Sequence, residues 1–278
     1  RFERYAADEK LIDGEFAFEL YDTFGFPIDL TELMAREKGL TVDMEGFQKA
    51  LEVQKNRSRA ATAIDTGDWV VVNTSEDVNF VGYDSLTADT KILKYRKVNA
   101  KGKENYQLVL DTTPFYAESG GQVGDTGSLS NGTSLLQITD TKKENGLIVH
   151  FTDELPEDLT ATFTAQVASE KRADTAANHS ATHLLHAALK LVLGNHVNQK
   201  GSLVNDEYLR FDFSHFAKVS DEALLQIEQI VNQKIRANII LKEERNVPYQ
   251  QALDSGVTAL FGEKYGDFVR VITFDDAF

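Results

Sequence analysis

Three textures of apolar and polar positions follow one another along the chain. From residue 1 to about 64, apolar residues recur at helical spacing: Phe16, Leu20 and Tyr21, then Leu30, Leu33 and Met34. Phe24-Gly25-Phe26-Pro27 interrupts them. Pro27 is predicted to open the next helix, and Gly39 to stop it. Asp43 is predicted to cap a third helix through Phe47, Leu51 and Val53 into the polar stretch Gln54-Lys55-Asn56-Arg57-Ser58-Arg59. These helices are too few to be expected to bury a good core alone.

From about 65 to 166, short β-rich runs alternate with turn residues. The runs are Trp69-Val70-Val71-Val72, Gln107-Leu108-Val109-Leu110, Leu135-Leu136-Gln137-Ile138 and Leu147-Ile148-Val149-His150-Phe151. Asn131-Gly132 is a hairpin signal. This spacing predicts a small antiparallel β-barrel or sandwich.

From about 167 to 278, helices and strands mix. One helix carries His179 to Leu193 and stops at Gly194. Tyr208 to Phe213 alternates like a strand. Ser220 is placed to cap a helix with an apolar face of Leu224, Ile227, Val231 and Ile235. Pro248 to Ser255 reads as a short helix closed by Gly256, and Phe268 to Ile272 as a last strand. The fold class expected is α+β: an N-terminal helical segment (1–64), a small antiparallel β-barrel (65–166), and a mixed core with helices packed on an antiparallel sheet (167–278).

Composition adds limits. The 278 residues suffice for two or three domains, and 42% hydrophobic with 26% charged content is that of ordinary globular proteins. No apolar run approaches the roughly 18–20 residues that span a bilayer, so no membrane partner is expected. No signal peptide is visible, and a cytoplasmic setting fits the lack of cysteine. The chain begins at Arg1 rather than Met, as a piece of a longer protein would. The net charge of −15 argues against a general, strongly basic nucleic-acid binder. Lys91, Lys94, Arg96, Lys97, Lys101 and Lys103 form the densest positive stretch, and a solvated strand-loop surface is its default reading over RNA contact.

The strongest chemical signal is His179-Ser180-Ala181-Thr182-His183. Residues four apart on a helix point roughly 40° from one another, so both imidazoles can reach one cation. Zinc is the usual partner of paired neutral imidazoles. No Glu lies between them, so the base of an H-E-x-x-H protease is missing. His186 shares the face and is a second-choice ligand. By default the Thr182 hydroxyl bonds back to a carbonyl one turn earlier, and Gln199 is an exposed loop amide. Gly120-Gly121-Gln122-Val123-Gly124-Asp125-Thr126-Gly127 is neither a Walker loop nor a dinucleotide fingerprint. It reads as a tight turn needing positive φ ahead of a backbone that approaches a ligand. Asp212 and Glu263 are single carboxylates without an evident partner.

Together these motifs resemble the alanyl-tRNA synthetase family. Asn178 through Leu189 is similar to the zinc-binding helix of its editing domain. The resemblance extends through Gln199-Lys200-Gly201-Ser202-Leu203-Val204, Leu209-Arg210-Phe211-Asp212-Phe213, and Ala259 through Asp267. Phe115 through Gln122 with Gly124-Asp125 resembles the family's glycine motif, and Leu20 through Thr31 the end of its helical tRNA-recognition region. The match is collinear over nearly the whole chain. The helical start favours the full synthetase over freestanding deacylases that share the editing half.

The resemblance implies hydrolysis of tRNA(Ala) mischarged with serine or glycine. It implies His179 and His183 as zinc ligands, and Thr182 and Gln199 lining the editing pocket as catalytic residues. Gln122, Gly120, Gly121 and Arg210 would meet the substrate. The family's other two ligands belong to a later Cys-x-x-x-His motif, and the chain stops at Asp275-Asp276-Ala277-Phe278 before it. The adenylation machinery, with its ATP and magnesium, would lie before Arg1. The implied partners are the tRNA(Ala) acceptor end and the rest of the synthetase chain. The alternative is a tRNA-docking and domain-bridging module, inactive as isolated.

Overall fold

A computed structural model of the chain describes residues 11–61, 65–74, 78–100, 103–258 and 265–274. Two compact units are distinguished, Arg1–Asp65 and Thr66–Phe278. Lys101, Glu263 and the terminal Asp275 to Phe278 lie outside the described residues, as do Ala259 to Lys264 of the family resemblance.

In the first unit the helices are α1 (Gly14–Asp22), α2 (Ile28–Glu37) and α3 (Met44–Ala61), with β1 (Leu11–Ile12) paired in parallel to β2 (Thr41–Val42). The expected punctuation is in place. Pro27 precedes α2, Gly39 follows it at φ 69°, and the Asp43 carboxylate accepts from the Gly46 N–H at 2.9 Å. The helices do not enclose a core by themselves. Ile12, Ala17, Leu20, Ala35 and Phe47 form a buried cluster, because β1 and β2 close the helices' apolar side.

After β3 (Asp65–Thr66), the second unit carries β4 (Val70–Val71), β5 (Asn79–Phe80), β6 (Thr87–Ala100), β7 (Lys103–Leu110), β8 (Thr112–Thr113), β9 (Gly127–Ser130), β10 (Leu135–Ile138), β11 (Asp140–Glu144), β12 (Leu147–Thr152) and β13 (Thr162–Val167). A large antiparallel sheet runs in the order β10-β9-β13-β6-β7-β12-β11, and β4 adds to β6. Its first and last strands are separated in sequence only by Thr139, whose N–H bonds to the Phe151 carbonyl on β12 at 2.9 Å. Ile92, Leu108, Leu110, Leu129, Leu136 and Phe163 bury one face. Leu93, Val109 and Val149 pack on the other, beneath Trp69 and Phe151. Burial on both faces explains why Gln107 to Leu110 is a continuous run rather than an alternating one.

The sequence reading missed β6 and β13 as strands. Charged and threonine residues on their outward positions dilute the apolar signal. Three residues of the basic stretch on β6 and β7 have acidic partners. Arg96 is buried, bonded to Gln107 at 2.6 Å and Glu144 at 2.5 Å, and stacked over Trp69. Lys97 pairs with Glu104, and Lys103 with Asp153.

Then come α4 (Ser169–Leu193), the hairpin β14 (Gln199–Val204) and β15 (Leu209–Phe213), α5 (Asp221–Arg236), β16 (Lys242–Pro248), α6 (Tyr249–Asp254) and β17 (Phe268–Thr273). Ser220 caps α5 through the Ala223 N–H at 3.2 Å. Of the apolar face expected there, Ile227 is buried, but Leu224 and Ile235 are each about half exposed, at 51%. β16, whose charged sequence hid it, pairs with β17. An exposed ionic network of Asp84, Arg245, Glu243 and Arg270 ties this pair to the loop before β6. Among the described residues no helix is long and apolar enough to cross a membrane.

One ion pair docks α4. The Arg172 guanidinium binds the buried Asp125 carboxylate and donates to the Gly82 carbonyl at 2.9 Å and the Pro114 carbonyl at 3.0 Å. Asp125 in turn accepts the Tyr116 N–H at 2.8 Å, and its own carbonyl accepts the Thr141 hydroxyl at 2.9 Å. Asp125→Ala strands a largely buried guanidinium and is expected to cost about 3–5 kcal/mol in urea unfolding. Arg172→Lys keeps the charge but lacks the planar fork that reaches three acceptor groups, and should lose most of the same stability. An unchanged urea midpoint in both variants would remove this pair as the tie.

His150 is fully buried. The Leu108 carbonyl, 3.2 Å from Nδ1, can only accept, so Nδ1 carries the proton and Nε2 accepts from the Thr113 hydroxyl at 2.8 Å. Burial pushes this imidazole down from 6.5 to about 4, against the smaller opposing effect of the Leu108 bond. The unfolded chain therefore binds the proton first as pH falls. The stabilisation is complete above about 6.5 and is lost towards 4, on the order of 3 kcal/mol in all. His150→Asn, which keeps a donor for Leu108, should flatten this part of a stability-against-pH curve.

Candidate functional site

The site grows from α4. Its first backbone tie is the Ala168 N–H to the Thr126 carbonyl at 2.9 Å, and Gly194 closes it with φ 112°. Arg172, His179 and His186 are seven residues apart, which sets them on one stripe of the helix. Arg172 anchors the stripe against the glycine motif. His179 and His183, one turn apart, hold their rings nearly parallel, 14° between planes and 5.1 Å between centroids.

The glycine motif meets the β14–β15 hairpin backbone to backbone. The Val204 N–H donates to the Gly121 carbonyl at 2.8 Å, and the Val123 N–H to the Val204 carbonyl at 3.0 Å. Gly121 sits at φ 81°, and a Cβ there would lie 2.0 Å from the Ser202 hydroxyl oxygen. No side chain fits that gap. Gly120, at φ 61°, completes the turn. The loop is thus a tight turn, and the backbone it approaches is the hairpin. Gln122, held between the two, is buried, and its amide oxygen lies 2.7 Å from His179 Nδ1.

The remaining expected residues fall as follows. Thr182 is buried on α4, and its hydroxyl donates to the Asn178 carbonyl at 2.8 Å, the default of a helical threonine. Gln199 is half-buried at the start of β14 rather than an exposed loop amide, and donates to the Ser202 hydroxyl at 3.0 Å. Ser202 abuts Gly120 and Gly121, so Gln199, the glycine turn and Gln122 form one connected wall. Arg210 is exposed on β15 and pairs with its neighbour Asp212 at 3.1 Å. That gives Asp212 a partner as well. His186 turns away from the imidazole pair: its ring lies 5.1 Å from that of Phe211, it bonds the Val197 backbone, and its Nε2 is buried without a partner.

Electrostatics keep these rings neutral. Burial, helped by the adjacent His183, lowers His179 to about 4. Burial lowers His183 and His186 too, with Lys190 adding to the effect on His186. Neutral imidazoles at pH 7 have a lone pair to offer a cation, which fits a metal such as zinc. Among the described residues, no group of three or more His, Cys, Asp or Glu converges to hold a metal ion. His179 and His183 are the two imidazoles that lie together there.

Sequence reasoning missed Arg172, Asp125 and Ser202. The seven-residue step from Arg172 to His179 was the available signal for the first. It also missed a second imidazole pair, His196 Nε2 and His215 Nδ1 at 2.8 Å, which closes the open end of the hairpin. Nineteen residues separate these two, and no local spacing announces a contact across that distance.

Residues 1–172 match the family model described as tRNA synthetases class II (A). An alanine–tRNA ligase of Cytophaga hutchinsonii is 59% identical over 278 residues, covering 100% of this chain and 32% of that protein. The alanine–tRNA ligase of Bacteroides fragilis is 58% identical over 263 residues, or 95% of the chain and 30% of the relative. That of Porphyromonas gingivalis is 51% identical over 278 residues, or 98% and 32%. The chain therefore spans about a third of the length of these curated relatives. It belongs to the class II (A) tRNA synthetases, and its likeness to alanine–tRNA ligases runs along its whole length.

Proposed function

We propose that this chain is the editing portion of an alanine–tRNA ligase, hydrolysing the ester of tRNA(Ala) mischarged with serine or glycine. The observation that carries this reading is the neutral His179–His183 pair facing Gln122 and the glycine turn. Residues 1–64 are then the end of the helical tRNA-recognition domain, 65–166 a barrel and 167–278 the editing core. The single-residue link between the end strands β10 and β11 supports a closed barrel.

The reaction adds water across the aminoacyl ester. The bond between the carbonyl carbon and the terminal ribose oxygen breaks, and a free amino acid and a 3′-hydroxyl result. Zinc, when bound, supplies Lewis acidity and a fixed positive charge beside the ester. His179 and His183 would hold it, with two further ligands from outside the described residues. The glycine turn, free of side chains, gives the RNA end close access to backbone. Gln199, steadied by Ser202, presents an amide to the same wall.

Selectivity needs a polar contact, since an apolar pocket rejects an added hydroxyl poorly. The Thr182 hydroxyl has given its proton to Asn178, so its oxygen is left to accept a hydrogen bond from the serine hydroxyl. Thr182→Val should slow hydrolysis of Ser-tRNA(Ala) on the order of tenfold, with Gly-tRNA(Ala) unchanged. Equal effects on both substrates would take Thr182 out of that role.

His179→Ala in the full-length protein should reduce deacylation by ~100-fold or more while leaving tRNA binding in place. Deacylation at the wild-type rate would exclude the proposed site. The second reading, a docking and bridging module, rests on the incomplete ligand set. It predicts that the chain as given binds tRNA(Ala) without turnover.

A further inference from the structure

We propose that Gln122 is a positioning residue that fixes His179 in the Nδ1-protonated tautomer and thereby presents the bare Nε2 to a metal ion. The argument starts from a single contact. An amide oxygen carries lone pairs only, so at 2.7 Å from Nδ1 it requires the ring proton to sit on that nitrogen. A neutral imidazole has one N–H. His179 Nε2 is therefore a lone pair, the form a metal needs.

A free imidazole prefers its proton on Nε2, so the contact reverses an intrinsic preference. That requires an acceptor which cannot drift away. The Gln122 N–H donates to the Ser119 carbonyl at 3.0 Å, and its carbonyl accepts the Ser119 N–H at 3.2 Å. A bridge to Val204 pins it from the hairpin side. On the other partner, Arg172 fixes the helix register two turns before His179. Gln122 is 6% exposed, so water does not compete strongly for the amide. This is the general arrangement by which a ligating histidine gives its second ring proton to a neighbouring acceptor.

The tautomer follows from the contact alone, and its consequence for zinc rests on the metal reading given above. Histidine-selective 15N labelling of the full 278-residue, metal-free chain reads tautomers directly through long-range couplings, and His179→Ala identifies the His179 signal. The wild type should show His179 protonated at Nδ1. Gln122→Leu should move it to the Nε2-protonated form and weaken Zn²⁺ binding, by competition with a chromophoric chelator, by ~10–100-fold. Gln122→Glu offers an acceptor at the same reach, and should restore the Nδ1 proton and bind Zn²⁺ at least as tightly as wild type. If Gln122 merely fills space, the buried Glu variant would bind Zn²⁺ no better than Leu, which overturns the proposal. An Nε2 proton on wild-type His179, or wild-type affinity in Gln122→Leu, overturns it too. A chain that meets all three expectations yet leaves Ser-tRNA(Ala) intact upholds the role of Gln122 and sinks only the hydrolytic reading.

Discussion

The Arg172–Asp125 pair is the constraint on which the site depends. Every useful contact of α4 requires the helix to stand at one height and one rotation against the sheet. A buried carboxylate and a guanidinium that also satisfies two backbone carbonyls fix both at once, because a planar fork accepts partners only in its own plane. The tie would cost free energy if half made, since a lone charge in that setting is poorly solvated. Two turns further along, about 10 Å of helix rise, His179 arrives at Gln122.

The glycine motif works with that tie rather than separately from it. Asp125 and Gln122 belong to the same short segment, so the residue that docks the helix and the residue that receives His179 are held in one rigid loop. The loop is rigid because it is shared. Its backbone pairs with β14, and Gly121 lets the two chains approach to a distance that any Cβ would forbid. Through Ser202 the same approach positions Gln199. Helix, loop and hairpin thus form one scaffold for the candidate site. Its four polar contributors, His179, His183, Gln122 and Gln199, come from three separate stretches of sequence.

Burial then decides what those groups can do. His179 and His183 are kept neutral chiefly by desolvation, so they are electron-pair donors at pH 7 rather than cations. His186, three residues beyond His183, is the more deeply buried of the two and packs against Phe211 and Val197 instead. His186 stands on the same stripe as His179 but two turns further along the helix, where Phe211 of the hairpin meets it.

Local signals were legible wherever the physics is local. Pro27, Gly39, Asp43, Ser220 and Gly194 act where the chain turns, and they marked helix ends correctly because capping involves residues three or four apart. The His179–His183 spacing announced a shared face for the same reason. Strands β6, β13 and β16 were hidden, since pairing partners distant in sequence stabilise them while their own residues are charged or polar. The helical start was judged too slight for a core because β1 and β2, two residues each, gave no signal of their own. The sequence by itself determined the helix caps, the paired imidazoles and the glycines that allow a tight turn. Only the tertiary structure decided that Arg172 meets Asp125, that Gln122 meets His179, and that His186 packs against Phe211. Those are contacts between segments, and their energy exists only once the backbone has brought the segments together.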